Sequence, residues 1–331
     1  MARGSSFQAL LNQTNGTSPC AIFANDFLKD RESLHEYQAF ARRHPELASF
    51  LAAVNLFLPV PTIGGNLLVI LIISLARELR VPSNILLVTL AASDTLTGLV
   101  SQPAHAVTII RALTQPYGKL CRTNAKLFID LCSYFTLTSA LTLLCLITID
   151  RYISITRPLR YHTIVTMDRT YTAIKVSLPG CAFLTLSEVF LSPFVPVVVS
   201  AIQSIYPLGL CVVMVCLQVH LYRISSKHRA AIRAGERRFN LMFNTRLERK
   251  ALKTALVVTM TLIASFVPIL VFQLYLLKYT SAEDNEIKVT LMPFLVTLIL
   301  TAPSLHPFIY FMRSVRMRQV MKRVITRHFL N

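Results

Sequence analysis

Residues 127–152 read LFIDLCSYFTLTSALTLLCLITIDRY. The apolar run from Leu127 to Ile149 is long enough to cross a hydrocarbon core, which takes about 20 residues of helix, and it stops on Asp150-Arg151-Tyr152. An acid beside a base at the end of a span is costly in lipid unless the two sit at the interface or pair with something. That invites a functional reading beside the plain one of an interfacial anchor. The rest of the chain decides between them.

Hydrophobic residues make up 53% of the 331 and charged residues only 15%, where a soluble domain carries nearer about a quarter charged. Seven apolar runs are long enough to span: roughly 50–76, 83–110, 124–149, 171–193, 196–222, 251–277 and 287–312. No alternation of the closed-barrel kind is visible, and lipid tolerates no unpaired backbone, so each run reads as a helix. The expected fold is an all-α membrane protein: a seven-transmembrane helix bundle over 50–312, between an N-terminal tail, 1–49, and an amphipathic helix and tail, 313–331.

Lys and Arg set the orientation. Arg77 and Arg80 lie between the first two spans, and Arg157, Arg160 and Arg169 between the third and fourth. A basic stretch from Arg223 to Lys250 joins the fifth to the sixth, and Arg313 to Arg327 follow the seventh. All fall on one face, which the positive-inside rule makes cytoplasmic, with the N-terminus extracellular and the chain multi-pass in the plasma membrane. The +18 net charge is then topology and contact with the lipid bilayer, not a nucleic-acid footprint. No basic-then-apolar leader stands before residue 50, so no cleavable signal is expected. Asn12-Gln13-Thr14 and Asn15-Gly16-Thr17 are sequons, short enough to arise by chance, that would be glycosylated on an outer tail.

Five motifs stand on these spans in order: Gly65-Asn66-Leu67-Leu68-Val69; Leu90-Ala91-Ala92-Ser93-Asp94; Asp150-Arg151-Tyr152 followed by Pro158-Leu159; Glu248-Arg249-Lys250 with Pro268 further along; and His306-Pro307-Phe308-Ile309-Tyr310. Together they resemble the rhodopsin-like (class A) G protein-coupled receptors, over nearly everything from residue 60 to 325. Within that family, Arg160 to Thr166 is most similar to the second intracellular loop of melanocortin-type receptors, with adenosine receptors further away. The near absence of a loop between the fourth and fifth spans points the same way. The resemblance implies a receptor rather than an enzyme, working with a heterotrimeric G protein and with arrestin and a receptor kinase. It needs no cofactor, and its ligand, whether small molecule, lipid or peptide, is not named by the sequence.

The resemblance also implies a switch. Arg151 bridges Asp150 and, across the bundle, Glu248; activation swings helix six outward about the Pro268 kink and releases Arg151. Tyr152, Phe266, His306, Pro307 and Tyr310 complete the set. The competing reading of Glu248-Arg249 is an ordinary charged helix start. In relatives, Asp94 joins Asn and Ser groups to hold sodium. Here Ala140, Ala302 and Pro303 occupy places that are commonly polar, and His306 stands where the family has Asn. The expectation is a polar core of Asn66, Asp94 and His306, with imidazole replacing sodium and no metal; the alternative is a histidine satisfied by backbone or water. The chain has no tryptophan, so Phe266 fills the usual helix-six Trp place, as an aromatic plug or simply a packed ring.

Ser133 stands where amine receptors place their ammonium-binding Asp, so a cationic monoamine would lack its counter-ion. Leu300 fills the retinal-lysine place, which argues against light sensing. Asp130, one turn from Ser133, matches one of the acids that melanocortin receptors use for calcium and basic peptides. The other two such places hold Ala104 and Lys126, and Lys126 is near enough to neutralise Asp130. Tyr134, Phe272 and Gln273 read as pocket lining or as core. Cys20 and Cys121 are the two cysteines on the oxidising side and could bridge there, while the other five lie in apolar spans as ordinary packing. A constitutively active or non-signalling orphan receptor is the alternative function. A transporter would want inverted repeats, and none is detected.

Overall fold

The computed structural model describes residues 36–115, 124–191, 194–233, 264–269, 271–272, 275, 282–313 and 315–329. Asn12, Asn15, Cys20, Cys121, Glu248 and Gln273 lie outside them, as does the side chain of Lys126.

Helix α1 covers Pro45–Leu75, and Pro59 starts its second segment, Pro59–Leu75. Helix α2 covers Pro82–Thr114 and opens on Pro82, where a missing N–H costs nothing. A π turn, Thr97–Ser101, interrupts it. Pro103 lies just beyond that turn, and its ring would meet the carbonyl of Leu99 in a regular helix; the widened turn takes up the clash. Helix α3, Asn124–Thr156, has 33 residues and so runs about 50 Å, well past a hydrocarbon core of about 30 Å. It does not stop at the Asp150 triplet, which lies within its last turns and can face neighbouring helices.

Helix α4, Met167–Phe190, starts at Thr166, whose hydroxyl accepts from the Arg169 amide at 3.3 Å. Helix α5, Pro196–Arg233, begins six residues after α4 ends and outlasts its apolar run by several turns. Residues 264–269, 271, 272 and 275 are helical and belong to α6. Helix α7, Ala282–Arg313, contains Pro293, Pro303 and Pro307, and α8, Val315–Phe329, closes the chain. The described residues are almost all helical and include no strand.

Over the described residues, five helices are long and apolar enough to cross a membrane. The core joins Leu90 of α2, Leu141 and Leu144 of α3, Met214 of α5, Phe266 of α6 and Ile299 of α7, with Met317 and Val320 of α8 tucked beneath. The outward residues Val176, Phe183 and Phe308 are apolar and exposed, as a lipid-facing surface requires. A Cβ on Gly65 would lie 2.8 Å from the Pro307 ring, so glycine is what lets α1 and α7 approach. Arg318, Lys322 and Arg323 of α8 point outward, and Arg323 meets Glu78 at 3.1 Å.

Candidate functional site: a buried polar centre and the C-terminal end of α3

At the centre, the His306 imidazole Nδ1 lies 2.7 Å from Asp94 Oδ2, both side chains being 1% exposed. An ionised carboxylate only accepts, so with Asp94 charged the ring donates from Nδ1; the length is that of a charge-assisted bond. The position of α7 follows from Gly65, and that of α2 from Ser93, whose hydroxyl is 2.9 Å from Ser139 of α3. Asn66 takes another course: it donates to the carbonyls of Thr62, 2.8 Å, and Pro303, 3.1 Å, tying α1 to α7 rather than to Asp94.

Beside the pair lies a cavity of about 30 Å³, walled by Asp94, Thr97, Ser101, Ser133, Thr136 and Phe266 among others. That is room for one or two waters and not for an organic ligand. Of its lining groups, Asp94 Oδ1, Ser101 Oγ and His306 Nε2 are buried without a protein partner. Each costs about 1–3 kcal/mol if left dry, so bound water suits this space. One oxygen of Asp94 is taken by imidazole, and Ala140, Ala302 and Pro303 present no side-chain oxygen on the same wall. Of the expected pocket residues, Ser133 and Phe266 share this cavity, whereas Asp130, Tyr134 and Phe272 do not line it. Phe272 is buried against Tyr275, ring centroids 6.4 Å apart.

Near the C-terminal end of α3, Asp150 is 3% exposed and is gripped from two sides. Ser83 Oγ donates to its Oδ2 at 2.7 Å and Tyr161 OH to its Oδ1 at 2.8 Å. Each hydroxyl has one hydrogen and spends it on the carboxylate, so the 3.1 Å approach of Ser83 to Tyr161 is packing rather than a third bond. Burial, then the charge of Asp150, pushes the Tyr161 phenol up to about 12, which keeps it a donor at physiological pH. Arg151 Nε stands 3.6 Å from Asp150 Oδ2, within ion-pair range but too far for a good hydrogen bond. The carboxylate is thus satisfied mainly by Ser83 and Tyr161, and the guanidinium is only loosely committed to it.

Sequence reading missed three participants. Ser83 and Tyr161 carried no signal, being common residues at a helix start and in a loop. Tyr152 OH lies 3.0 Å from His220 Nδ1 of α5, rings 5.5 Å apart, a pairing across 68 residues that spacing does not reveal. His105 is also buried; its place inside an apolar span was the readable clue.

Residues 65–192 match the family described as 7 transmembrane receptor (rhodopsin family). That stretch, under half of the chain, is similar to rhodopsin-family receptor sequence. The 5-hydroxytryptamine receptor 2B of Rattus norvegicus is 33% identical over 151 residues, 46% of this chain and 30% of that protein. The Alpha-2B adrenergic receptor of Equus caballus is 39% identical over 113 residues, 34% of this chain and 28% of its own. The Histamine H2 receptor of Rattus norvegicus is 36% identical over 132 residues, 40% and 34%. The chain spans about a third of the length of these relatives. The family and these relatives are receptors, not enzymes. They lend no support to the melanocortin or adenosine subgroup, which rested on seven loop residues and a short link.

Proposed function

We propose that the chain is a G protein-coupled receptor of the plasma membrane. Its N-terminus is extracellular, and it passes the binding of an outside ligand to a heterotrimeric G protein by an outward swing of α6. The bundle over 50–312 carries the switch, with the tail 1–49 outside and the segment 313–331 inside. The observation that supports this best is the state of the Asp150 triplet. Ser83 and Tyr161 hold the acid, so Arg151 is available to a second partner across the bundle. Glu248 is the partner proposed, and arrestin and a receptor kinase follow from the same family reading.

Comparing cyclic AMP in cells bearing the wild-type chain and Glu248→Ala tests this. A raised basal signal in the variant is expected. An unchanged signal, basal and evoked, at equal surface expression would count for a non-signalling chain. A second reading, high basal activity, is favoured by Phe266 and His306 standing where the family carries Trp and Asn. His306→Asn should then lower basal signalling. If sodium sensitivity appeared in that variant, imidazole would be doing the ion's work.

Ser133 lacks the charge that a cationic amine needs, so the ligands named for the relatives are not carried over. The ligand proposed is one without an obligatory ammonium group. A ligand screen through a promiscuous G protein is the direct route to it.

A further inference from the structure

The end of the bundle opposite Asp150 already holds a peptide. Residues 36–43, EYQAFARR, are helical, and the spacing of Tyr37, Phe40 and Ala41 sets them on one face. Phe40 is fully buried and Ala41 nearly so. They pack on Ala48, Leu51 and Ala52 of α1 and on Ile109 and Ala112 of α2, with Val289 of α7 against the same cluster.

The polar part of the contact reaches further in. Tyr37 OH lies 3.5 Å from His105 Nδ1, the two rings edge to face at 5.7 Å. His105 Nε2 faces the Pro293 carbonyl at 3.4 Å and Thr297 Oγ1 at 3.3 Å, both on α7. A carbonyl only accepts, so Nε2 carries the ring hydrogen and Nδ1 is left to accept from the phenol. Burial raises the Tyr37 phenol, with Glu36 and Asp130 pushing the same way, so it stays a donor. Thr297 donates to Pro293 O and accepts from Asn55 Nδ2, each at 2.9 Å. The contact therefore runs from residue 37 through α2 into α7 and α1, within electrostatic reach of Asp130 on α3.

We propose that this end of the bundle is a peptide-binding site, fitted to a short helix carrying Tyr and Phe three residues apart, and that residues 36–43 of the same chain are its resident occupant. A tether of this kind supplies an effective concentration on the order of 1 mM, so an octapeptide with a Kd of about 0.1 mM fills the site roughly nine-tenths of the time. An outside ligand sharing the site then loses about tenfold in apparent affinity. Displacement also breaks the Tyr37–His105 contact, and this consequence for signalling rests on the receptor reading above; the binding itself does not.

The test uses the full chain in nanodiscs and fluorescently labelled EYQAFARR. Tyr37→Ala with Phe40→Ala should loosen the resident, and the labelled peptide should then bind at least tenfold more tightly than to the wild-type chain. Adding His105→Ala should take most of that gain away. A double variant that melts cooperatively yet binds no more peptide than wild type would overturn the proposal. Should the double variant not fold, hydrogen exchange in the wild-type chain reads the same question. Amides 38–43 should be protected at least tenfold more than in Tyr37→Phe, and equal protection overturns it. Peptide binding without any change in G-protein signal across all variants upholds the site and sinks the receptor reading. Absent binding together with a signal that responds to Glu248→Ala does the reverse.

Discussion

The bundle has a stitched side and a smooth side. On the first, α1, α2 and α7 are joined by side chains crossing between them: Asn55 to Thr297, Gln102 to Thr62 and to the Leu300 carbonyl, Asn66 to the Pro303 carbonyl, and His306 to Asp94. On the second, α4 and α5 meet α3 through largely apolar surface, with two short polar links to α5 among the described residues, Thr142 to Tyr206 at 2.6 Å and Tyr152 to His220 at 3.0 Å, and Cys181 of α4 3.4 Å from Thr142. Lipid removes the hydrophobic drive between helices, leaving packing and interhelical hydrogen bonds to hold them. The contrast therefore predicts a rigid frame on one side and a more easily displaced wall on the other, which is what a switch that opens by helix movement needs.

Melting temperatures of the protein in nanodiscs rank the two sides. The largest loss is expected for Asp94→Leu, which strands a buried imidazole; about 3 kcal/mol is the scale for removing one member of a buried pair. Gly65→Ala comes next, at about 1–3 kcal/mol, since the new methyl must push the Pro307 ring away. Gln102→Ala should cost about 0.6–1.7 kcal/mol, the range measured for hydrogen bonds between membrane helices. Thr142→Val, on the smooth side, should cost about 0.6 kcal/mol or less by the same measure. If Thr142→Val proves more damaging than Gln102→Ala, the contrast is inverted. Smallest of all is Glu78→Gln, which removes an exposed pair with Arg323; its effect should stay under about 0.5 kcal/mol and vanish in high salt.

Much of the fold was legible because membrane helices announce themselves. Lipid forces every backbone bond inside the segment, so an apolar run of span length has little choice but helix. The pairing of a histidine with Asp94 was also a readable question, since two costly residues inside adjacent spans must find partners. Asn66 shows where that logic ends. It was grouped with Asp94 and His306, yet it bonds to the Thr62 carbonyl one turn back in its own helix and to the Pro303 carbonyl, which only the packing of α1 on α7 brings within reach. The π turn at Thr97–Ser101 is similar: Pro103 marks a disturbance, but the resulting register, which carries Gln102 and His105 toward α7, is a property of the folded helix.

By itself the sequence determined the class, an all-α membrane bundle, because span length is a local fact, and residues 65–192 carry the likeness to rhodopsin-family receptors. Only the tertiary structure decided who answers whom. Asp150 is satisfied by Ser83 and Tyr161 more than by its neighbour Arg151, Tyr152 meets His220, and Tyr37 reaches His105. The reason is distance. A helix fixes neighbours three or four residues away, whereas these contacts span 11 to 68 residues and exist only once the helices have chosen their packing.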